Sequence, residues 1–212
     1  MLALMPSSMS ARFLAALTRA LFWPARPGRA TPSNTHLGGI KSPRSSGLLT
    51  CLRGAATFLL ASTFLTRAGD REDLWGPCIN TRGRIGNTIP ADLKISIHGD
   101  GSYGGGPGFH VIAPTDRKPW THDIYASSKA LALVTRRSLH KGAGLPYAGY
   151  IAGGDGLDFR SDLGTLNLSN VPTVMVELGN MKDSEDVARM TSAQGRRAYA
   201  AALARAAVDY LS

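Results

Sequence analysis

One short segment constrains the fold of this chain more than any other. Thr173-Val174-Met175-Val176-Glu177-Leu178 is an apolar run interrupted by a single carboxylate, with Pro172 ahead of it and Gly179-Asn180 behind. A run without apolar/polar alternation suits a strand buried on both faces, as in the middle of a parallel sheet. Other segments supply its company. Thr63-Phe64-Leu65 reads as a short strand ending at Thr66-Arg67. Leu93 to Ile97 reads as a second, tied off by a glycine-rich turn, and Gly108 to Ile112 as a third. Thr121 is the expected N-cap of a helix with Asp123 in its first turn and Ile124, Leu131 and Val134 as its apolar stripe. Arg136, Arg137 and Lys141 sit near its end, and Gly142 and Gly144 stop it. Ser184 is the expected cap of a short helix, with Glu185 and Asp186 in its first turn. Ser192 opens a last helix, on which Tyr199, Leu203, Ala206 and Tyr210 share a face. Strands alternating with helices predict an α/β domain with a central, mostly parallel sheet flanked by helices.

Charge divides the chain in two. The net charge is +9, yet no Asp or Glu precedes Asp70, while Arg12, Arg19, Arg26, Arg29, Lys41, Arg44, Arg53 and Arg67 all do. The basic excess therefore belongs to the N-terminal third. Residues 1–53 show no sustained period and carry Pro24, Pro27, Pro32 and Pro43 among Gly and Ser. Residues 1–62 are thus expected to be an atypical basic, disordered region, and residues 63–212 the folded domain. Scattered arginines without a folded basic face do not make a nucleic-acid footprint. No run of about 20 uncharged apolar residues is present to span a membrane. As export signals, Ala11 to Ala25 is interrupted by Arg19, and Gly54 to Leu65 lies far from the N-terminus; neither meets the signal-peptide pattern. Cys51 and Cys78 are too few for a disulfide framework; one bridge or two separate thiols both remain open.

Chemistry concentrates at two strand ends. Ile95-Ser96-Ile97-His98 closes one strand, and Val176-Glu177-Leu178-Gly179-Asn180 closes another. Ligands of open α/β sheets bind beyond the carboxyl ends of the strands, so His98 and Glu177 are expected to converge on one cleft. Histidine there suits a metal, and glutamate suits a metal or proton transfer. Either residue alone is more often an ordinary hydrogen-bonded group.

The wider wording is specific. Leu65-Thr66-Arg67 is followed by Asp70, then Arg82 and Asn87, then Ala91-Asp92-Leu93 running into Ser96-Ile97-His98. Arg160 and Leu166-Asn167-Leu168 precede Pro172 and Val174-Met175-Val176-Glu177-Leu178-Gly179-Asn180, and Asp183 and Glu185 follow. This order resembles the zinc-dependent N-acetylmuramoyl-L-alanine amidases of cell-wall turnover, of the amidase_3 type, from Phe64 to Ser212. The resemblance implies an α/β domain that cuts the amide between N-acetylmuramic acid and L-alanine in peptidoglycan. In such enzymes a zinc is held by a His in a Gly-His-Gly-Gly turn, a Glu on the next helix, and the His of the Ser-Ile-His strand end. The Glu of the Val-Glu strand end is the catalytic acid/base. Carried over, His98 is a zinc ligand and Glu177 the catalytic carboxylate. Zinc polarises a carbonyl and lowers the pKa of bound water, and Glu177 would move that water's proton to the leaving amine.

The same resemblance marks a departure. The family's first two ligands stand upstream of the Leu-Thr-Arg segment. Here only His36, in Thr35-His36-Leu37-Gly38-Gly39, echoes the first, and no Glu precedes Glu72. The N-terminal strand and helix of the fold are therefore expected to be missing. An acid-free stretch stopping abruptly at a family segment is what a frame shift in a GC-rich gene leaves. The chain is expected to take peptidoglycan or muropeptide as a monomer, outside the cytoplasm in periplasm or cell wall. With one zinc ligand of the set in place, it is expected to hold zinc weakly and to turn over little. The alternative is a muropeptide-binding relative without turnover. Other motifs fail. Gly99-Asp100-Gly101 and Gly104-Gly105-Gly106 lack the Gly-Lys-Ser/Thr ending of a phosphate loop and read as a turn beside the site. His110 lies within a strand, where packing is its expected role. His122 and His140 mark opposite ends of one helix, too far apart to share a metal. Cys78 lies in a loop away from any helical His and is no thiol nucleophile.

Overall fold

The computed structural model describes residues 2–7, 10–15, 64–65, 77–89 and 91–212. Within residues 1–62 it describes two strands, β1 (Leu2–Ser7) and β2 (Ser10–Ala15), and the rest of that region lies outside the described residues. A short β3 (Phe64–Leu65) coincides with the expected first strand. The domain then runs through helix α1 (Ile79–Thr88), strands β4 (Leu93–Asp100) and β5 (His110–Pro114), and the long helix α2 (Tyr125–Ala143). Strand β6 (Leu157–Arg160), the short helix α3 (Gly164–Asn167), strand β7 (Thr173–Asn180) and helices α4 (Ser184–Thr191) and α5 (Ala193–Leu211) complete it.

The α/β architecture follows the alternation of patterns. The sheet order is β2-β1-β4-β7-β5-β6, and β7, the apolar run, lies between β4 and β5. Among strands β4 to β7 the sheet is mostly parallel, as expected, with one antiparallel join that makes it mixed. β4 pairs with β7 and β5 with β6 in parallel, but β5 runs antiparallel to β7 and β1 antiparallel to β4. The reason is the connection between β4 and β5. Parallel neighbours need a crossover of a dozen or more residues, and the glycine-rich stretch 101–109 carries no helix, so the chain returns antiparallel. The β1–β2 hairpin falls where the sequence shows no strand period. It covers the free edge of β4, and unpaired edge groups rather than side-chain patterning account for it.

Alternation along the strands then separates two faces. Leu93, Ile95 and Ile97 of β4, Val174, Val176 and Leu178 of β7, and Val111 and Ala113 of β5 form the main core with Leu131 and Leu139 of α2 and Tyr199 and Leu203 of α5. Each of the Leu, Ile and Val side chains among them stabilises the fold by roughly 1.5–3 kcal/mol on burial. The opposite face is covered by α1 and α3. A smaller apolar cluster there joins Ile112, Met175 and Leu166, and the Lys94 ammonium donates to Gly83 O at 2.5 Å and Thr165 O at 3.0 Å. His98 and Glu177 belong to this second face by the same alternation.

Two helix starts differ from expectation. Thr121 does not cap α2, which begins at Tyr125 after Ile124; its hydroxyl instead donates to Thr115 O and accepts from Arg117 N, closing the turn before the helix. Asp183, not Ser184, caps α4, accepting from the amides of Glu185 and Asp186. Ser192 caps α5 as expected, accepting from Gly195 N, and Gly144 ends α2 with φ 65°. Helix α1 carries Gly83 and Gly86 in its interior and gave no helical signal. Its glycines are explained by packing: a Cβ on Gly83 would lie 2.8 Å from Leu168 Cβ and 2.9 Å from Gly164 O. Asn87 ties the same contact, donating to Leu168 O and accepting from Asn170 N.

Candidate active site

His98 and Glu177 are direct register partners on the adjacent parallel strands β4 and β7, near their carboxyl ends. Side chains so paired project from the same face. The sequence therefore places both residues correctly relative to one another, although His98 sits within its strand, which runs on to Asp100. On the other side of β7, His110 of β5 is the antiparallel partner of Glu177. The row across three strands is thus imidazole, carboxyl, imidazole. Chain order alone gave no sign of the third member, because nothing in the sequence shows that β5 lies next to β7.

Each group is shaped by its surroundings. Burial, reinforced by the Asp100 carboxylate and opposed by the Arg160 guanidinium, pushes the Glu177 carboxyl up to about 8. Burial, with neighbouring positive charge that includes Arg82, pushes His98 down to about 3. The His98 ring is then neutral near pH 7, the form in which imidazole binds metals. Its Nε2 lies 2.8 Å from Ser96 Oγ, two residues back on the same face, which fixes the ring. Arg160, on β6, is held by Asp162 through Nε at 2.9 Å and Nη2 at 2.5 Å.

A glycine loop closes one side. Asn180 Nδ2 donates to the carbonyls of Ser102, Gly105 and Gly106 at 3.0, 3.1 and 3.3 Å, so the loop is a braced turn beside Glu177. Asp186 Oδ2, buried to 1 % exposure, accepts from Gly108 N and Asn180 N, both at 2.8 Å, and is spent on this brace. Gly179 makes room for it, since a Cβ there would approach Asp186 Cγ to 2.8 Å. Burial, with the nearby Asp100 carboxylate, raises the Tyr150 phenol. The Tyr150 phenol and the Asp100 carboxyl face each other, while Glu177 Oε2 and His110 Nδ1 are buried without a hydrogen-bond partner among the described residues. Orphaned polar atoms converging in one place mark a site built for a ligand rather than for packing.

Metal donors are fewer. Among the described residues no group of three or more His, Cys, Asp or Glu is placed to hold a metal ion. His98 is suited to be one ligand, and His36 lies outside the described residues. The described donors therefore do not complete the three-ligand set of a catalytic zinc. The remaining histidines have local duties. His122 Nδ1 meets Asp116 Oδ1 at 2.8 Å, and His140 bonds Leu145 O while stacking on Tyr147. Cys78 is exposed and unbridged ahead of α1, and Cys51 lies outside the described residues. No helix among the described residues is long and apolar enough to cross a membrane.

Comparison with known proteins gives one family. The N-acetylmuramoyl-L-alanine amidase family model, Amidase_3, matches residues 50–209. An N-acetylmuramoyl-L-alanine amidase of Mycobacterium tuberculosis is 36% identical over 200 residues, spanning 87% of this chain and 80% of that protein. The apo form of an N-acetylmuramyl-L-alanine amidase from Mycobacterium abscessus superposes with a TM-score of 0.70 at 40% identity, covering 79% of this chain and 76% of that one. One from Mycobacterium smegmatis superposes with a TM-score of 0.72 at 31% identity, covering 93% and 96%.

Proposed function

The chain belongs to the N-acetylmuramoyl-L-alanine amidase family, and from that premise we propose that it hydrolyses the amide between N-acetylmuramic acid and L-alanine in peptidoglycan, with Glu177 moving the proton. The register pairing of His98 and Glu177 at the carboxyl ends of two parallel strands carries the reading. Glu177 is the one acid in the row, and burial holds it in the range where a carboxyl can both take and return a proton. Amide hydrolysis needs both acts: a proton leaves the attacking water, and one reaches the departing alanine nitrogen. The braced loop 101–107 and the Asp100 and Tyr150 oxygens offer polar contacts for a muropeptide beside that carboxyl.

Zinc dependence belongs to the family. For this chain, His98 as a zinc ligand is part of the proposal, with His36 as a further candidate. Cell-wall amidases act outside the cytoplasm, and we place this chain in the periplasm or cell wall, working as a monomer on peptidoglycan rather than on nucleic acid or within a membrane. Residues 1–62 are proposed to lie outside the catalytic domain of residues 63–212. A second reading, muropeptide binding without turnover, draws on the incomplete donor set among the described residues.

Incubation of the purified chain with peptidoglycan separates the two. The expected result is release of stem peptides with a new L-alanine amino terminus, lost in Glu177→Gln. Sedimentation with peptidoglycan without any new amino terminus supports the binding relative, and neither binding nor release sinks both.

A further inference from the structure

The face that carries His98 and Glu177 holds one more ring. His110 opens β5, is 3 % exposed, and is the antiparallel register partner of Glu177. Glu177 therefore stands between His98 on one neighbouring strand and His110 on the other. Direct cross-strand partners have Cβ atoms about 4.5–5.5 Å apart and point the same way, so an imidazole and a carboxyl at these positions lie within mutual reach. Both have an unused atom. His110 Nδ1 and Glu177 Oε2 are buried, and neither has a hydrogen-bond partner among the described residues, so the two are not bonded to each other in this structure and each is free to turn onto the other. One is a nitrogen able to carry a proton and the other a carboxyl oxygen able to accept it. His98 is differently employed, since its Nε2 is engaged by Ser96.

We propose that His110 is a positioning residue for Glu177, its ring N–H holding the carboxyl in the orientation from which it exchanges a proton with the substrate. The proposal rests on the proton-transfer role given to Glu177 above. Burial also keeps His110 below the usual histidine range, so the ring is neutral and donates through one nitrogen, with Asp100 and Asp158 pulling the other way and Arg160 adding to the effect of burial. A neutral donor fixes the carboxyl without the full charge that would hold it permanently ionised. Packing alone would be served equally by Phe; orientation of a carboxyl needs the N–H.

The test uses the whole chain and does not depend on turnover. Urea unfolding of His110→Phe, Glu177→Met and the double variant forms a cycle. A departure from additivity of about threefold or more in the folding equilibrium constant is expected for a contacting pair. In parallel, the Glu177 carboxyl carbon is followed by NMR. Its signal should move in His110→Phe and return toward the starting position in His110→Gln, which restores an N–H. An additive cycle, or a Glu177 signal unchanged in His110→Phe, overturns the proposal. If His110→Phe does not fold, the comparison is made between wild type, His110→Gln and His110→Leu. On peptidoglycan, kcat should fall on the order of 100-fold with KM unchanged in His110→Phe and recover in part in His110→Gln. A wild-type chain that releases no peptide overturns the amidase reading, while the cycle and the carboxyl signal still decide His110.

Discussion

Lys94 lies in the strand that ends in the site, yet it is fully buried, and among the described residues its ammonium donates to two backbone carbonyls. Carbonyl acceptors favour the ammonium, but burial outweighs them and pushes the group down to about 7. A lysine whose folded pKa lies below its unfolded value binds fewer protons when folded. Stability therefore rises with pH between about 7 and the unfolded value of 10.5, by at most about 1.4 kcal/mol per pH unit. Chemical denaturation at pH 7 and pH 9 should show this gain in the wild type and its loss in Lys94→Met. Equal slopes in the two proteins would show that Lys94 stays charged in the fold. The variant should also be the weaker at pH 9, where a neutral amine still satisfies the carbonyls of Gly83 and Thr165 and methionine cannot. Lys94, Ser96 and His98 were legible as one face of a strand, because strand period is a local property. His110 was not, because its importance comes from a neighbour that only the sheet order supplies.

At the scale of elements, buried apolar runs were legible, while edge strands such as β6 and glycine-bearing helices were not. β4 and β7 announce themselves by apolar runs, whereas α1 conceals itself behind Gly83 and Gly86. Two effects compete at Gly83. Alanine in a helix interior gains about 0.5–1 kcal/mol over glycine. Overpacking costs about 1–3 kcal/mol, and here the obstacles include the backbone oxygen of Gly164, which cannot swing aside. Gly83→Ala should therefore destabilise the fold by about 1–2 kcal/mol in urea unfolding; a stabilised variant would mean that α1 and α3 can separate. The brace between β7 and α4 gives a second case. Asp186→Ala leaves the amides of Gly108 and Asn180 without their shared acceptor. Each buried orphan costs about 1–3 kcal/mol. The loss should appear both in stability and in faster hydrogen exchange at Gly108 and Asn180, and unchanged exchange would show that other groups hold the loop. Sequence showed Asp186 only as an acid in a helical first turn, since its partners lie in two distant segments.

The whole molecule meets its hardest constraint in the metal. A catalytic zinc takes three protein ligands, and an intact set binds tightly because its members are held in place and one carries negative charge. The described residues bring His98, a neutral imidazole steadied by Ser96, and beside it Glu177, whose carboxyl burial keeps protonated near neutral pH. A protonated carboxyl is a poor ligand, so His98 is the one ligand of the family's set that this face supplies. Zinc uptake by the full chain, followed by equilibrium dialysis, should therefore be far weaker than at a three-ligand site and should depend on His98. His98→Ala should remove it, Glu177→Gln should keep it, and Ser96→Ala should weaken it by on the order of 10-fold, because outer partners orient a ligating ring. Tight stoichiometric uptake would show that donors outside the described residues complete the set. His36→Ala is then the deciving variant in a plain sense: zinc lost with His36 identifies it as the second ligand, and zinc retained removes it from the site.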